Sequence, residues 1–288
     1  MSKMTELVGG FFVQVERVLS DKFPSVTLEV RVENRRRQPI VGLNADNFLV
    51  TENQRPVPDL KVTGAANNND KADIAILIDR SSDMEKYAEQ VNTAVREITQ
   101  AMDGKGRVTV ISAGEMPVTE FSGSPDRLST FSTKALQAPY TDNAALDLGI
   151  RLAANGLVNA EKKRGIIYIT AGNVGQQAFG QYSLSDLSGY INNNAISFST
   201  VLVSQTRLSQ EIDYLTYNTT GTSYYVYRPD GLEPVIKDLI EQPSGLYQLT
   251  FTSTQKTEYG QKYLPLEVET YLLNRSGRDE TGYFAPLE

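Results

Sequence analysis

The stretch Ala72-Asp73-Ile74-Ala75-Ile76-Leu77-Ile78-Asp79-Arg80-Ser81-Ser82-Asp83 decides how the rest of the chain is read. Five apolar residues run unbroken from Ile74 to Ile78, and a polar loop starts at Asp79. A short apolar run closed by a polar turn predicts a strand buried on both faces, as in a parallel sheet. The loop at the carboxyl end of such a strand is where open α/β sheets bind ligands.

Strand–helix alternation continues from there. Met84, Tyr87, Ala88, Val91, Val95, Ile98 and Met102 recur at helical spacing, and Gly104 and Gly106 end that helix. Arg107–Ile111 is a second strand, and Val118–Phe121 a short edge strand. A helix over Asn143–Leu157 follows the loop Pro139–Asn143. Gly165–Thr170 and Ile196–Val203 are buried strands, Ser223–Tyr227 is a last one, and helices fall near Leu184–Ile191, Ile212–Tyr217 and Leu232–Ile240. The pattern predicts a doubly wound, mostly parallel six-stranded α/β sheet over residues 71–241.

Both flanks read differently. Phe11–Val18 and Ser25–Val32 alternate apolar and polar residues, the mark of half-buried antiparallel strands. Pro39–Glu52 reads as a short strand, a bend and another short strand, and Asn67–Asp70 as a polar linker. Residues 11–66 hold too few strands to close a sandwich alone. After Pro243, Gly245–Thr252 and Tyr263–Leu272 alternate again. The expectation is one β-sandwich built from 11–66 and 243–286, with the α/β domain inserted between them.

Composition narrows the function. The chain has 288 residues, a net charge of −7 and a pI near 4.9, which argues against a nucleic-acid surface. The basic run Arg35-Arg36-Arg37 reads as a solvated turn. With no cysteine and no histidine, thiolate zinc sites, cysteine nucleophiles and a Ser-His-Asp triad are all excluded. A bound metal would be a hard cation held by oxygen ligands, such as Mg²⁺, Mn²⁺ or Ca²⁺. No dinucleotide or phosphate-loop fingerprint follows a strand, so no small-molecule substrate is expected and the chain reads as no enzyme. An aspartyl phosphotransferase would set a second acid where Ser81 stands. No apolar run is long enough to span a bilayer. Met1–Phe23 lacks a signal-peptide pattern, and Leu287-Glu288 reads as a cloning remnant of a longer or secreted protein. Tyr214, Tyr217, Tyr224, Tyr225 and Tyr227 are read as alternation about the last strand rather than as a binding surface. Asn218-Thr219-Thr220 and Asn274-Arg275-Ser276 match glycosylation sequons and are set aside as chance.

The order and placement of these loops resemble the von Willebrand factor type A domain over roughly Lys71–Glu241. In that family Asp-x-Ser-x-Ser follows the first strand. A threonine before a later helix and an aspartate after the fourth strand complete a metal-ion-dependent adhesion site. Here Asp79 and Ser81 match, Asp83 replaces the last serine, and Thr141 stands in the threonine's place. Thr170-Ala171-Gly172 replaces Thr-Asp-Gly, so Ala171 removes the family aspartate. Val41-Gly42-Leu43, Asp46, Phe48, Val50–Asn53 and Gly282–Pro286 resemble a bacterial subfamily that carries the domain on an Ig-like sandwich.

The resemblance implies a non-catalytic, extracytoplasmic bacterial protein that binds a protein partner in adhesion or assembly. Its contact face would hold Arg80, Ser82, Asp142, Asn143 and Asn173. The metal ligands would be Asp79, Ser81, Asp83 and Thr141. Two outcomes stand open: a dication held by these residues, or a degenerate site that has weakened or lost its metal, with the second favoured. Asp142 could assist a metal, but it reads better as a helix N-cap or first-turn acid. The alternatives are a structural subunit of an envelope assembly that uses the former metal face for packing, and an Asp79-dependent hydrolase.

Overall fold

The computed structural model describes residues 10–35, 38–64, 71–160, 163–242, 245–256 and 260–286. Arg36, Arg37, the Asn67–Asp70 linker, Pro243 and Leu287-Glu288 lie outside them. The strands in chain order begin with β1 (Phe12–Leu19), β2 (Ser25–Glu33), β3 (Phe48–Glu52), β4 (Arg55–Pro56) and β5 (Lys61–Gly64). Next come β6 (Ala72–Asp79), α1 (Ala88–Ala101), β7 (Arg107–Ala113), β8 (Pro117–Gly123), α2 (Leu146–Leu157) and β9 (Lys163–Thr170). Then follow α3 (Leu184–Asn193), β10 (Ile196–Leu202), α4 (Gln210–Asn218), β11 (Ser223–Tyr225) and α5 (Glu233–Glu241). The chain closes with β12 (Leu246–Thr252), β13 (Tyr263–Leu272) and β14 (Arg275–Phe284). It divides into two compact units, Met1–Asn68 with Pro243–Glu288, and Asn69–Gln242.

The first unit has two four-stranded sheets, ordered β1-β2-β12-β5 and β14-β13-β3-β4. All their pairings are antiparallel. Val26, Leu28 and Val30 of β2 and Leu249 and Phe251 of β12 share one buried cluster with Val50, Leu264, Leu266 and Val268 of the other sheet. Strands from both chain ends therefore make one sandwich core. The alternation in β2 predicts that Glu29, Arg31 and Glu33 face water, yet all three are buried. β2 is an inner strand, and its charges pair across the ladder, Arg17 with Glu29 at 2.7 Å and Arg31 with Glu16. The short strand expected near Pro39 is only a single bridge to Glu33, and a 3-10 turn, Ala45–Asn47, precedes β3.

The second unit is a six-stranded sheet ordered β11-β10-β9-β6-β7-β8. Its pairings are parallel except at the edge, where β8 runs antiparallel to β7. β6 is central and covered on both faces. Ile74, Ile76 and Ile78 pack with Val91, Val95 and Ile98 of α1 and Val235 of α5. Ala75 and Leu77 pack with Ile150 of α2, Leu187 of α3 and Ile212 of α4. Each such fully buried aliphatic side chain is worth about 1.5–3 kcal/mol, which is why the run can end in a polar loop and keep its place. α2 approaches closely: a Cβ on Gly149 would lie 3.1 Å from Leu77 Cδ1 and Ala113 Cβ. Gly106, at φ +78°, makes the turn into β7 where a side chain would strike the Ala72 carbonyl.

Three local expectations change. The helical run after Asp79 opens as a 3-10 helix over Ser82–Tyr87 before α1. α2 starts at Leu146 with Ala145 as its N-cap, so Asp142 is not a cap. β11 stops at Tyr225, and Tyr214 and Tyr217 lie on α4, so strand alternation does not account for the tyrosines.

A buried carboxylate ties the sandwich layers together. Glu52 of β3 accepts from the Tyr283 hydroxyl of β14 at 2.6 Å and from the Ser253 hydroxyl, just after β12, at 2.8 Å. Burial, and then Glu52 itself, push the Tyr283 phenol well above its ordinary value. Tyr283→Phe leaves a buried acceptor unmet and should cost about 1–3 kcal/mol in urea unfolding at neutral pH. A raised phenol contributes fully below its unfolded value near 10 and loses that contribution as pH climbs through its folded value. The gap between wild type and Tyr283→Phe should therefore narrow in unfolding curves taken above about pH 10.

Candidate functional site: the loops at the carboxyl end of the sheet

The strand order reverses at β6, with β7 on one side and β9 on the other. Asp79 and Thr170 are the last residues of β6 and β9, so both stand at the switch point. Asp79 is 3% exposed. Its Oδ1 accepts from the Ser81 N–H at 2.8 Å, closing the turn, and its Oδ2 accepts from the Thr170 hydroxyl at 2.8 Å. Burial raises its pKa, against the opposing pull of the Ser81 amide and the Thr170 hydroxyl. The Tyr168 phenol beside it is pushed well up by its own burial and then by the Asp79 charge.

The first loop is stitched to the loop that carries Thr141. The Thr141 N–H donates to the Arg80 carbonyl at 2.8 Å, and the Ser82 N–H to the Thr141 carbonyl at 3.1 Å. The Thr141 hydroxyl accepts from the Asn143 N–H at 3.1 Å. The Arg80 N–H donates to the Ala113 carbonyl at 3.2 Å, anchoring the turn to β7, while buried Met84 anchors the 3-10 helix. At the end of β9, the Ala171 carbonyl accepts from the hydroxyls of Ser204 at 2.5 Å and Thr206 at 2.6 Å. The Gly172 N–H donates to the Thr170 hydroxyl at 3.1 Å.

The fold brings Asp79, Ser81 and Thr141 together at one end of the sheet. Asp83 is exposed in the first turn of the 3-10 helix, and Ala171 is buried. Ser82, Asp142, Asn143 and Asn173 are exposed. Arg80 corrects the sequence reading. It is 4% exposed, with its guanidinium turned inward to the Ala138 carbonyl, and so it is no part of a contact face. The inward turn follows from what it meets, a carbonyl and the Tyr140 ring, 3.7 Å from the guanidinium carbon.

Two participants escaped the sequence reading. Thr170, which in sequence is only the neighbour of Ala171, holds Asp79. Asp147 of α2 is fully buried and accepts from the N–H groups of Gln181 at 2.7 Å and Tyr182 at 2.9 Å, pinning the loop after β9. No local pattern marked it.

At Ala171 these residues offer a hard cation no side-chain oxygen. Such an ion takes about six oxygens. Both Asp79 oxygens are already engaged by protein donors. Among the described residues no three acidic side chains gather in a way that could hold a metal.

No family model and no curated protein matches the chain. Several solved structures resemble it in shape. A von Willebrand factor type A protein from Catenulispora acidiphila is 10% identical, with 96% of this chain and 74% of that one covered and a TM-score of 0.46. The ArnB paralog VWA2 from Sulfolobus acidocaldarius is 11% identical over the same shares, with a TM-score of 0.45. Proximal thread matrix protein 1 from the mussel byssus, in a structure with a zinc-occupied MIDAS motif, is 13% identical with a TM-score of 0.47. That alignment covers 68% of this chain and 50% of the mussel chain, so the chain spans about half the mussel protein's length.

Replacing Thr170 by Val removes the donor from a buried carboxylate with little change of shape. Its cost should be about 1.5–3 kcal/mol, read from urea unfolding at neutral pH.

The strand order, the antiparallel edge strand and the Asp79 loop at the switch point make the central unit a doubly wound, mostly parallel α/β fold, similar in shape to the von Willebrand factor type A structures above.

Proposed function

We propose that the chain is a non-catalytic protein-binding module for adhesion or assembly, working without a required metal at an extracytoplasmic bacterial site. The observation that carries this reading is the division of the loop face. Asp79 and Arg80 are turned inward and hydrogen-bonded, while Ser82, Asp83, Asp142, Asn143 and Asn173 stand exposed on loops fixed from below. A preorganised set of exposed polar side chains costs little ordering entropy on binding. With two carboxylates and two amides, this face suits a protein partner that offers basic or hydrogen-bond-donating side chains. The lack of histidine and cysteine, which removes the commonest general base and the thiol nucleophile, supports a non-catalytic role. No helix among the described residues is long and apolar enough to cross a membrane.

The Ig-like character of the sandwich and the boundaries 11–66, 71–241 and 243–286 belong to the same proposal. The alternative is a structural subunit that packs through the former metal face. Its support is the closed hydrogen bonding around Asp79.

The test is capture from a bacterial envelope extract by wild type and by an Asp83→Lys/Asp142→Lys variant, with and without chelator. The expected result is a bound protein that survives the chelator and is lost in the variant, at an unchanged melting temperature. Capture that is equal in the variant would remove this face from the interaction. Capture that the chelator abolishes would restore a metal requirement.

A further inference from the structure

The disagreement between these loops and a metal cage has a positive counterpart in Arg80. Its guanidinium donates through Nε at 3.0 Å and Nη2 at 2.6 Å to the Ala138 carbonyl and stacks on the Tyr140 ring at 3.7 Å. Nη1 is buried with no hydrogen-bond partner among the described residues. A buried guanidinium bound to one carbonyl and one ring is unusual, because buried charges are normally paired.

The same segment is gripped from the other side by the opposite charge. The Glu120 carboxylate of β8 accepts from the N–H groups of Gln137 at 2.9 Å and Ala138 at 3.1 Å. Residue 138 is thus bracketed, a carboxylate on its N–H and a guanidinium on its carbonyl. The peptide dipoles between them carry the attraction that a direct ion pair would give. Three residues on, Thr141 makes the backbone bonds that join this segment to the Asp79 loop.

The geometry points to Arg80 as an internal cation that fastens the Thr141 loop to the end of β6, the cross-linking duty that a metal would otherwise perform. A dication would reach both loops from the solvent side through oxygen ligands. Arg80 reaches the second loop from beneath, with its charge sealed from solvent. The face is then held in shape without an ion and offers no electrophilic metal to a partner's acidic side chain. This concerns how the loops are held and stands whether or not the face binds protein.

Amide hydrogen exchange tests it on the full chain. In the wild type, exchange at Ser82 and Thr141 should be the same in chelator and in millimolar Mg²⁺, Mn²⁺ or Ca²⁺. Arg80→Met should speed exchange there by about tenfold or more while β9 keeps its protection, since local opening free energies differ along a chain. Arg80→Lys, which keeps charge but loses the planar fork, should fall between. Slower wild-type exchange on adding a dication, or unchanged exchange in Arg80→Met, would overturn the assignment. Should Arg80→Met not fold, Tyr140→Leu and Glu120→Gln carry the same comparison: faster exchange at Thr141 supports it, and none refutes it. Partner capture is a separate readout, so failure of the binding proposal leaves these outcomes legible.

Discussion

A carboxylate at the end of the central strand is kept away from water, and the loops are built around the hydrogen bonds that replace its hydration. An ionised group in such a place is costly unless hydrogen bonds replace its hydration. Asp79 obtains one from the turn that follows it and one from Thr170 on the next strand. These bonds fix the direction of the chain after β6 and lock the ends of β6 and β9 together. The Arg80 amide adds β7 through the Ala113 carbonyl. Three strand ends are thereby held in register at the point where the sheet reverses order.

The fold was readable where burial is periodic. β6, β9 and β10 hold no exposed position because helices cover both faces of the sheet. β13 alternates because one face meets the sandwich core. Reading failed where a single side chain decides. Arg80 sits among polar neighbours and gives no periodic signal. Its direction is set by Ala138, 58 positions away, and by the Tyr140 ring. Likewise the start of α2 depends on the Gly114 carbonyl taking the Ala145 N–H, a tertiary contact with no local signature. In β2 the alternation was correct and its consequence was not, since charged residues on an inner strand can be buried by pairing with one another.

The site was legible as a place and not as chemistry. Sequence places Asp79, Ser81 and Thr141 at one end of the sheet, since each stands at the end or mouth of a recognisable element. Asp83 is exposed, whereas Ala171 is buried with its carbonyl accepting from the hydroxyls of Ser204 and Thr206. A metal responds to where oxygens point, and the arithmetic of formal charge carries none of that.

A metal at such a site would perform two tasks at once, joining the loops and gripping a partner's acid. These are separable. Joining needs only a cation positioned between loops, and a guanidinium stacked on a ring and chelating a carbonyl supplies it from the protein side. Gripping needs an electrophile open to solvent, which a 4% exposed arginine cannot be. A chain that keeps the first task and gives up the second has a rigid face whose recognition rests on the outward side chains alone. Under the binding role proposed above, those on this chain would be carboxylates, amides and a hydroxyl, and the polarity of the favoured partner would be reversed relative to a metal-bearing face.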